Sequence, residues 1–377
     1  MDKIRIAVVG LGHRGRAMSA LAQNGFDDTE IVGACDLDPE LWDKTQWLQE
    51  RPMKEILTNA SFYTNYEQML DELKPDFIMV ETGADVHADF CIKALNRNIN
   101  VFSDIPSVAS LDEADRLWKA QQQSKARFMT GANPNEKGFI NKLVEIYNQG
   151  LIGEPYYMEA EYVHASTPDA HYQLTVHSPW RKRLVPIMYC THSLGPLLRI
   201  MKEDLTEVIC IGTGPHIRPD SPKDDMMVAL FQTPSGVTIR LLRNGPCRTF
   251  IGYHSFRVFA TKGYFERISP RGETPAVTRF QFLDEKSAPV FKEYDIHEMP
   301  EEYKDNPKAV GHGGIDYAML DHLFKAYREN APEFPIPLKE GLRMTLPGIY
   351  AAQSARLGGQ KLHIAYPWNP DWNPQAF

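Results

Sequence analysis

Three glycines near the start of the chain have the type and spacing needed to hold a pyrophosphate. Gly10, Gly12 and Gly15 follow the apolar stretch Ile4 to Val9 and precede a helix-compatible run, Arg16 to Gln23. In a G-x-G-x-x-G turn, the first glycine makes the tight turn and the second lets the phosphates approach the backbone. The third lets the helix pack closely on the strand, with the phosphates over the helix N-terminus. The pattern predicts a dinucleotide site; a glycine-rich turn without a ligand is the alternative.

Asp36 indicates which dinucleotide this turn would bind. It ends a second predicted strand, Glu30 to Cys35, about twenty residues after Gly15, as the fingerprint requires. A carboxylate at that point accepts hydrogen bonds from both ribose hydroxyls of NAD and repels the 2′-phosphate of NADP. Arg14, inside the turn, would offset part of that repulsion. We therefore expect NAD, and we place His13 and Arg14 with the glycines and Asp36 among the candidate cofactor residues.

The first third of the chain contains the elements that would position this site. Short apolar strands alternate with helices of about ten to fifteen residues, which is typical of right-handed βαβ units in a parallel sheet. The later strands are predicted over Phe62 to Tyr63, Phe77 to Val80, Ile99 to Phe102 and Arg127 to Thr130. Ligands of such a sheet bind beyond the carboxyl ends of its strands. The segments Glu81 to His87 and Ser103 to Ser107 are therefore expected to face the cofactor.

The pattern changes from about Pro134. A helix predicted over Phe139 to Gln149 leads into an extended run, Tyr156 to His164, and then into alternating stretches typical of antiparallel strands. These stretches are Glu207 to Gly212, Met226 to Gln232, Val237 to Arg243 and Arg257 to Thr261. Two helices follow, Asp316 to Glu329 and Leu338 to Arg356. The end of the chain, rich in proline and tryptophan, would lie as an arm on another surface or fray.

Length and composition fit two domains. At 377 residues the chain is too long for one ordinary core, and its 43% of hydrophobic and 24% of charged residues are typical of a globular protein. We predict an α/β protein with a Rossmann-type, doubly wound parallel sheet over residues 1–132 that binds NAD. Residues 133–377 would form an α/β domain with an open, mainly antiparallel sheet, which binds the substrate and forms a homodimer or homotetramer.

The composition also argues against several partners. A net charge of −8 without a basic stripe excludes a nucleic-acid partner, and no apolar run reaches the ~20 residues that a membrane span needs. The five cysteines are scattered without C-x-x-C pairs, which favours buried free thiols in a reducing cytoplasm. No metal is expected, because the central histidines lack the spacing of metal ligands. These histidines are His164, His171, His177 and His192.

The order of several motifs resembles the Gfo/Idh/MocA family of sugar oxidoreductases. The glycine turn and Asp36 are similar to its cofactor loop, and Glu81 to His87 is similar to its T-x-x-x-x-H segment. Lys142 to Glu154 resembles the helix that opens its second domain, and Ala260 to Glu266 resembles its G-T-x-G-x-x-E turn. The resemblance covers essentially the whole chain. It implies NAD as cofactor and a sugar as substrate, with His87 beside the nicotinamide.

Two departures from that family concern proton transfer. Family dehydrogenases usually carry E-K-P, whose lysine assists proton removal from the substrate hydroxyl, where this chain has Asp104, Ile105 and Pro106. The family's aspartate, four residues before His192, is here Met188. Two of three proton-handling groups are therefore replaced, while Asp104 and Pro106 remain candidate cofactor residues.

The replacements resemble a second branch, the NAD-dependent glycosidases of glycoside hydrolase family 109. Their Y-x-T-H-x-L-G-P segment is similar to Tyr189 to Pro196, their Y-x-H pair to Tyr162 and His164, and their G-H-G-G-x-D segment to Gly311 to Asp316. In those enzymes NAD oxidises the sugar at C3, which acidifies the proton at C2. Elimination of the aglycone, addition of water and return of the hydride follow. Relatives that do not hydrolyse stop at the 3-keto glycoside or exchange oxidation between sugars.

The resemblance implies roles for these tyrosines and histidines. The chemistry needs bases for a hydroxyl proton and for a carbon acid, and an acid for the leaving group. Imidazole titrates near neutral pH, and a tyrosine beside a cation becomes more acidic. We predict His192 with Tyr189 as the main catalytic pair, assisted by His164 and Tyr162, which alternation places on one face of a strand. A histidine hydrogen-bonded to the backbone and a purely structural Tyr–His pair are the alternatives.

Four further residues are candidate substrate contacts. Trp180 and Arg181 would line a sugar site by stacking and hydrogen bonding, unless this basic loop is simply solvated. His312 and Asp316 belong to the G-H-G-G-x-D segment. The glycines after His312 indicate a close approach of the backbone or a helix-entry turn.

Together these features favour an NAD-dependent oxidoreductase of the Gfo/Idh/MocA type that acts on a sugar or glycoside. We expect hydride abstraction at ring C3, with tightly bound and recycled NAD. The alternative is an NAD-dependent glycosidase that cleaves with no net redox change. A non-enzymatic NAD-bound sensor is a third interpretation, since the family lysine is missing.

Overall fold

The computed structural model describes residues 2–45, 51–164, 179–182, 184–221, 223–248, 252–268, 276–284, 286–294, 296 and 298–377. They form two compact units. The first unit consists of Met1–Glu136 and Met299–Leu342, and the second of Lys137–Glu298 and Arg343–Phe377. A single division after residue 132 does not describe these units, because residues 299–342 group with the N-terminal part of the chain. The domain limits given above therefore stay a prediction.

The first unit contains a six-stranded sheet in which all the pairings are parallel. Its strands are β1 (Ile4–Val9), β2 (Thr29–Cys35), β3 (Ser61–Tyr63), β4 (Phe77–Val80), β5 (Asn100–Ser103) and β6 (Phe128–Thr130). Their order is β3-β2-β1-β4-β5-β6, which confirms the predicted doubly wound fold. Strand order reverses between β1 and β4, and a doubly wound sheet binds its ligand beyond the carboxyl ends of the strands at such a point.

The described residues form nine α-helices. In chain order these are α1 (His13–Gly25), α2 (Met53–Ile56), α3 (Tyr66–Leu73), α4 (His87–Leu95), α5 (Leu111–Gln123), α6 (Gly138–Asn148), α7 (Thr191–Leu198), α8 (Ile315–Arg328) and α9 (Leu338–Arg356). Local sequence explains several starts: the side chain of Asn65 accepts from the Gln68 N–H to cap α3, and that of Ser110 accepts from the Glu113 N–H to cap α5. After Pro39 the chain forms only a short 3₁₀ helix, Pro39–Asp43.

Aromatic packing explains why residues 299–342 belong to the first unit. The ring of Tyr317 in α8 stacks on Phe26, with 4.6 Å between ring centroids, and Phe334 stacks on Phe77 of β4 at 5.4 Å. All four side chains are buried in one apolar cluster. Burying a side chain of this size stabilises a fold by about 1.5–3 kcal/mol, so the later segment completes the core of the nucleotide-binding sheet.

The second unit contains a nine-stranded sheet. Its strands are β7 (Pro155–Val163), β8 (Glu207–Gly212), β9 (Met226–Gln232), β10 (Thr238–Asn244), β11 (Tyr253–Ala260), β12 (Gly263–Ile268), β13 (Val277–Leu283), β14 (Pro289–Tyr294) and β15 (Leu362–His363). The order is β14-β13-β12-β11-β7-β10-β9-β8-β15. Only the β7–β10 pairing among those described is parallel, which confirms the predicted open, mainly antiparallel sheet.

The prediction for β11 was wrong at its start. The strand begins at Tyr253 rather than at Arg257, so four of its residues were left out. His254 and Ser255 are both buried, and two buried polar residues in succession hide the apolar alternation that marks a strand. Strands β13 and β14 had no counterpart in the prediction.

The C-terminal segment lies on the second unit itself. Leu362 and His363 pair with β8, and the Tyr366 hydroxyl donates to the Leu205 carbonyl at 3.0 Å. The indole N–H of Trp368 donates to a carboxylate oxygen of Asp204, also at 3.0 Å. The arm is therefore the correct alternative, and it covers a surface of its own unit.

Each of the five cysteines is buried and free, as predicted. In the described part of the chain, no helix combines the length and apolar character that crossing a bilayer requires. The same residues contain no cluster of histidine, cysteine or carboxylate side chains arranged to hold a metal ion.

Candidate cofactor site and proton-transfer cluster

The turn between β1 and α1 shows why glycine is needed at two of its three positions. Gly10 has a φ of +91°, and a Cβ there would lie 2.7 Å from the backbone carbonyl carbon of Glu81. A Cβ on Gly15 would lie 1.8 Å from the carbonyl oxygen of Gly10. At Gly12, the N-cap of α1, a Cβ would meet no described atom within 4 Å. The turn is thus tightly packed against the Glu81 backbone at Gly10 and is open at Gly12, at the N-terminus of α1, where a pyrophosphate fits.

Asp36 is fixed beside this turn by two backbone amides. One carboxylate oxygen accepts from the Leu11 N–H at 2.6 Å, and the other accepts from the Asp38 N–H at 3.0 Å. The side chain stays half-buried at the end of β2. Carboxylate oxygens have further lone pairs, so Asp36 can still accept from ribose hydroxyls. The glycine turn, the N-terminus of α1 and the Asp36 carboxylate together fit NAD.

Arg14 is neutralised within the first unit. Its guanidinium bonds Asp316 in a bidentate pair at 2.6 and 3.0 Å and contacts Asp104 at 3.2 Å. Asp316 also accepts from the Asn133 amide at 2.7 Å and lies 2.8 Å from the His312 ring. The carboxylates of Asp104 and Asp316 raise the pKa of Arg14, and Arg14 lowers the pKa of Asp316 far below its usual range, although burial opposes both shifts.

This network corrects one expectation about the cofactor. Because Arg14 is bound to two carboxylates, it is not free to offset the repulsion between Asp36 and a 2′-phosphate. The geometry therefore sharpens the preference for NAD. His312 and Asp316, which the sequence analysis assigns to the substrate, lie in the Arg14 network of the first unit, so their substrate role stays a prediction.

Glu81 is a buried carboxyl at the end of β4 that sequence reasoning did not single out. Its Cβ would lie 3.1 Å from a Cβ on Gly15, directly under the glycine turn. Neither carboxyl oxygen has a hydrogen-bond partner among the described residues. Burial, and after it the negative charge of Asp104, raises the pKa of Glu81 well above its usual value, which favours the protonated form of this carboxyl. The signal in the sequence was a carboxylate immediately after an entirely apolar strand.

His87 and the segment after β5 complete this side of the first unit. The His87 ring is buried, with Nε2 3.0 Å from the Ser103 hydroxyl and Nδ1 3.2 Å from the Thr82 carbonyl oxygen. Burial lowers the pKa of His87, which keeps the ring neutral. This supports the expected packing role over an acid–base role. The Asp104 N–H donates to the Val80 carbonyl, and the Ile105–Pro106 peptide bond is cis.

In the second unit, sheet register places Tyr162, Arg243 and His254 in one row across three neighbouring strands. Tyr162 of β7 lies opposite Arg243 of β10 on one side and opposite His254 of β11 on the other. The Arg243 guanidinium carbon lies 4.3 Å from the centre of the Tyr162 ring. On the other side His254 stacks on the same ring at 4.5 Å between centroids, with 26° between the planes.

The predicted pairs join this row. The Tyr189 hydroxyl lies 3.3 Å from Nε2 of His192, and the His192 ring is 5.6 Å from that of Tyr162. His164 is exposed, with its ring centroid 6.0 Å from that of Tyr162, which agrees with the predicted shared face. The structure therefore brings together both pairs that the sequence analysis singled out.

The electrostatics of Tyr162 run opposite to the expectation for a tyrosine beside a cation. Burial raises its pKa, and the opposing effects of Arg243 and Arg181 do not overcome that. Tyr162 is a phenol, able to donate a proton, at neutral pH. Burial, followed by the nearby charges of Lys137 and His192, holds the pKa of His254 well below its usual value, so this ring is neutral.

Arg243 and His254 were missed by sequence reasoning. Both depend on strand register, which pairs residues about eighty and ninety positions apart and leaves no local signal in the sequence.

Of the candidate substrate residues, Trp180 is half-buried and Arg181 is exposed, with the Arg181 guanidinium 4.5 Å from the Trp180 ring. His171 and His177 lie outside the described residues.

Comparison with known proteins now identifies part of the chain. Residues 4–132 match the model of the oxidoreductase family Gfo/Idh/MocA, described as an NAD-binding Rossmann fold. The first unit carries a Gfo/Idh/MocA NAD-binding domain. The match confirms the resemblance seen in the sequence, the Rossmann fold of these residues and NAD as the cofactor. Together with the relatives and solved structures described below, it supports the prediction of an NAD-dependent enzyme.

Whole-chain similarities extend beyond the Gfo/Idh/MocA domain. Glycosyl hydrolase family 109 protein 2 of Akkermansia muciniphila is 26% identical over 376 residues, covering 88% of this chain and 76% of that protein. Glycosyl hydrolase family 109 protein 1 of Bacteroides fragilis is 24% identical, covering 88% and 78%. The similarity to this branch, expected from the Tyr189, Tyr162 and Gly311 segments, is thereby confirmed.

Solved structures share the fold over nearly the full length. Levoglucosan dehydrogenase in complex with NADH and L-sorbose has a TM-score of 0.77 at 14% identity, covering 97% of this chain and 100% of that one. The myo-inositol 2-dehydrogenase of Lactobacillus plantarum has a TM-score of 0.72 at 18% identity, with the same coverage. At such identities the likeness establishes the Gfo/Idh/MocA type of fold and nothing finer.

Proposed function

We propose that this protein oxidises a sugar or glycoside at ring C3, using NAD that stays bound and is recycled. The observation that carries the proposal is the convergence of Tyr162, Tyr189 and His192 in a protein whose other unit binds NAD. The dehydrogenases with the same fold are named for a sugar anhydride and an inositol, which supports a cyclic polyol as substrate.

The proton of the substrate hydroxyl goes to His192. Its imidazole lies 3.3 Å from the Tyr189 hydroxyl, which orients the ring and can relay the proton. Bound NAD would supply the hydride acceptor for the carbon that carries this hydroxyl, and the His192–Tyr189 pair would retain the hydroxyl proton as the ketone forms. Tyr162, a phenol at neutral pH, donates a hydrogen bond to a substrate oxygen, and His164 lies exposed beside its ring.

A second candidate function is redox-neutral cleavage of a glycoside. The cluster has more titratable groups than one hydroxyl oxidation needs, since Tyr162 and His164 are added to the His192–Tyr189 pair. Removal of the C2 proton and protonation of the leaving group would use these extra groups. The similarity to proteins named glycosyl hydrolase family 109 supports this candidate.

Mass spectrometry of the denatured protein, combined with a panel of nitrophenyl glycosides assayed without added cofactor, tests both functions. Released NAD with conversion of a sugar to its 3-keto form supports the oxidoreductase. Released NAD with release of nitrophenol supports the glycosidase. A protein that binds NAD and transforms no sugar contradicts both and leaves the sensor interpretation.

Variants then test the assigned roles. His192→Asn is expected to lower kcat by about 10²–10⁴-fold, the range typical of a general base. Tyr189→Phe should lower kcat less and shift its pH profile. His363→Asn, which changes an exposed histidine paired with Asp371, is the matched control and should retain full activity.

A further inference from the structure

Three cations of the second unit form a group that contacts Tyr162 and Tyr189 through one member, Arg243. Arg243 contacts the rings of Tyr162 and Tyr189, with its guanidinium carbon 4.3 and 5.5 Å from their centres. Lys223 is buried, 6% exposed, and its ammonium donates to the carbonyl oxygen of Arg181. The charge of Arg181 lowers the pKa of Tyr162, Arg243 and Lys223, which places it near all three. We call Arg181, Lys223 and Arg243 the cation group.

None of these cations forms an ion pair with a carboxylate in the described part of the chain. The hydrogen bonds of Arg243 go from one terminal nitrogen to the carbonyls of Tyr162 and Asn244 and to the Asn244 side chain. Its Nε is buried and has no partner among the described residues. Burial, and then the charge of Arg181, lowers the pKa of Lys223 to about 8, as expected where no anion compensates the desolvation.

A group of cations without carboxylate partners is unusual in this chain. The protein has 49 acidic and 41 basic residues, so an uncompensated group of cations does not follow from composition. Elsewhere in the second unit, the arginines of the sheet are paired, as Arg240 is with Glu159 and Glu161. Burying a cation without a partner costs free energy, and the faces of two aromatic rings offset only about 0.5–2 kcal/mol of it.

We propose that the cation group binds a negatively charged substituent of the substrate, so that this protein acts on a sugar that carries a carboxylate or a phosphate. The inference rests on the proposed function, which places the sugar beside Tyr162 and Tyr189. An arginine fork matches the geometry of both anions and gives charge-assisted hydrogen bonds to either. Trp180 contacts the Arg181 guanidinium, whose central carbon lies 4.5 Å from the centre of the indole ring, and so helps to position this cation.

Matched pairs of sugars test the proposal in the full-length, NAD-loaded protein. Calorimetry would compare glucose with glucuronate and with glucose 6-phosphate, and galactose with galacturonate, at pH 7. At least one acidic sugar should bind tenfold or more tightly than its neutral partner, and the difference should shrink with added salt. The uronates and the phosphate ester distinguish the two kinds of anion.

Variants connect this preference to the cation group. Arg181→Gln, at an exposed position that does not threaten folding, and Arg243→Met should each bring the affinity ratio of acidic to neutral sugar close to one. Arg218→Gln changes an arginine of the same unit that has its own carboxylate partner, Asp220, and should leave the ratio unchanged.

Two outcomes would overturn the proposal and are distinguishable from failure of the proposed function. In the first, both members of every pair bind with equal affinity and a neutral sugar reduces NAD. This result contradicts the proposed preference for an anion and supports the proposed oxidation of a sugar. In the second, Arg243→Met weakens the binding of acidic and of neutral sugars equally. Arg243 then positions Tyr162 and Tyr189 rather than binding a charge on the substrate. If no sugar binds or reduces NAD, the proposed function and the inference fail together.

Discussion

Arg14 in the first unit and Arg243 in the second unit are compensated in opposite ways. Arg14 binds two carboxylates, Asp104 and Asp316, and its pKa is raised. Arg243 contacts two aromatic faces and backbone carbonyls, and burial lowers its pKa. The first arrangement is complete without a ligand, and it suits a scaffold under a cofactor. The second leaves positive charge to be neutralised from outside, which suits the recognition of a substrate.

The largest expected effect comes from removing the paired cation. Arg14→Met leaves Asp104 and Asp316 facing each other beside Glu81, and breaking a buried pair in this way costs about 3–5 kcal/mol. We expect a clearly lower thermal midpoint and loss of co-purified NAD. Thermal unfolding followed by circular dichroism and the NAD content measure both. Arg14→Lys keeps the charge and loses the forked guanidinium. Its thermal midpoint and NAD content should lie between those of Arg14→Met and those of the wild type.

Asp316→Asn tests the same network from its other side. Because the pKa of Asp316 is lowered in the folded protein, its contribution to stability is present above the unfolded value near 4 and fades as the pH falls below it. We expect the variant to be less stable by about 2 kcal/mol at pH 7. Urea unfolding at pH 7 and pH 3 should show the gap between variant and wild type closing at the lower pH. A gap that does not change with pH would contradict the pairing.

Arg243→Met should cost far less stability than Arg14→Met. The variant loses contacts with two rings, worth about 0.5–2 kcal/mol, and regains the cost of burying a cation without a carboxylate. The net change in unfolding free energy is expected to stay within about 1 kcal/mol. Urea unfolding of both methionine variants under one condition makes the comparison. Equal destabilisation would mean that Arg243 is compensated as fully as Arg14.

The smallest effect is expected at Glu81, and its sign depends on pH. A carboxyl with a raised pKa stabilises the fold in its protonated form, so that stability is present at low pH and is lost as the pH rises toward the folded pKa. Glu81→Gln keeps the shape and removes the ionisation. Its thermal midpoint should match that of the wild type at pH 5 and exceed it by a few degrees at pH 9. A midpoint difference independent of pH would show that Glu81 is already ionised.

The nucleotide half of the site could be predicted because its signals are local. Gly10, Gly12, Gly15 and Asp36 act through the turn in which they stand, and the strands around them are uniformly apolar. The partners of Arg14 could not be inferred, since Asp104 and Asp316 are 90 and 302 positions away in the chain. Asp104 reaches Arg14 because the doubly wound strand order places the end of β5 on the same side of the sheet as the glycine turn, and Asp316 reaches it because α8 packs beside Phe26 in the same unit.

The second unit was harder for the same physical reason. The motif resemblance identified Tyr162, His164, Tyr189 and His192, yet it gave no indication of Arg243, because a cross-strand neighbour is set by register alone. Where the interior is polar, as at His254 and Ser255 in β11, even the strand escapes hydrophobic patterning. Hydrophobic patterning therefore fails to predict a strand where buried polar side chains line up across neighbouring strands of a sheet.

The short pairing of Leu362 and His363 with β8 has a consequence for solubility. It covers part of β8, where Ile211 is exposed and unpaired backbone groups would otherwise face solvent at the edge of the nine-stranded sheet. Tyr366 and Trp368 hold this segment in place through Leu205 and Asp204. A chain shortened before residue 362 would keep its chemistry-bearing side chains and open a sheet edge to other chains, so aggregation rather than inactivity would be the first sign of the loss.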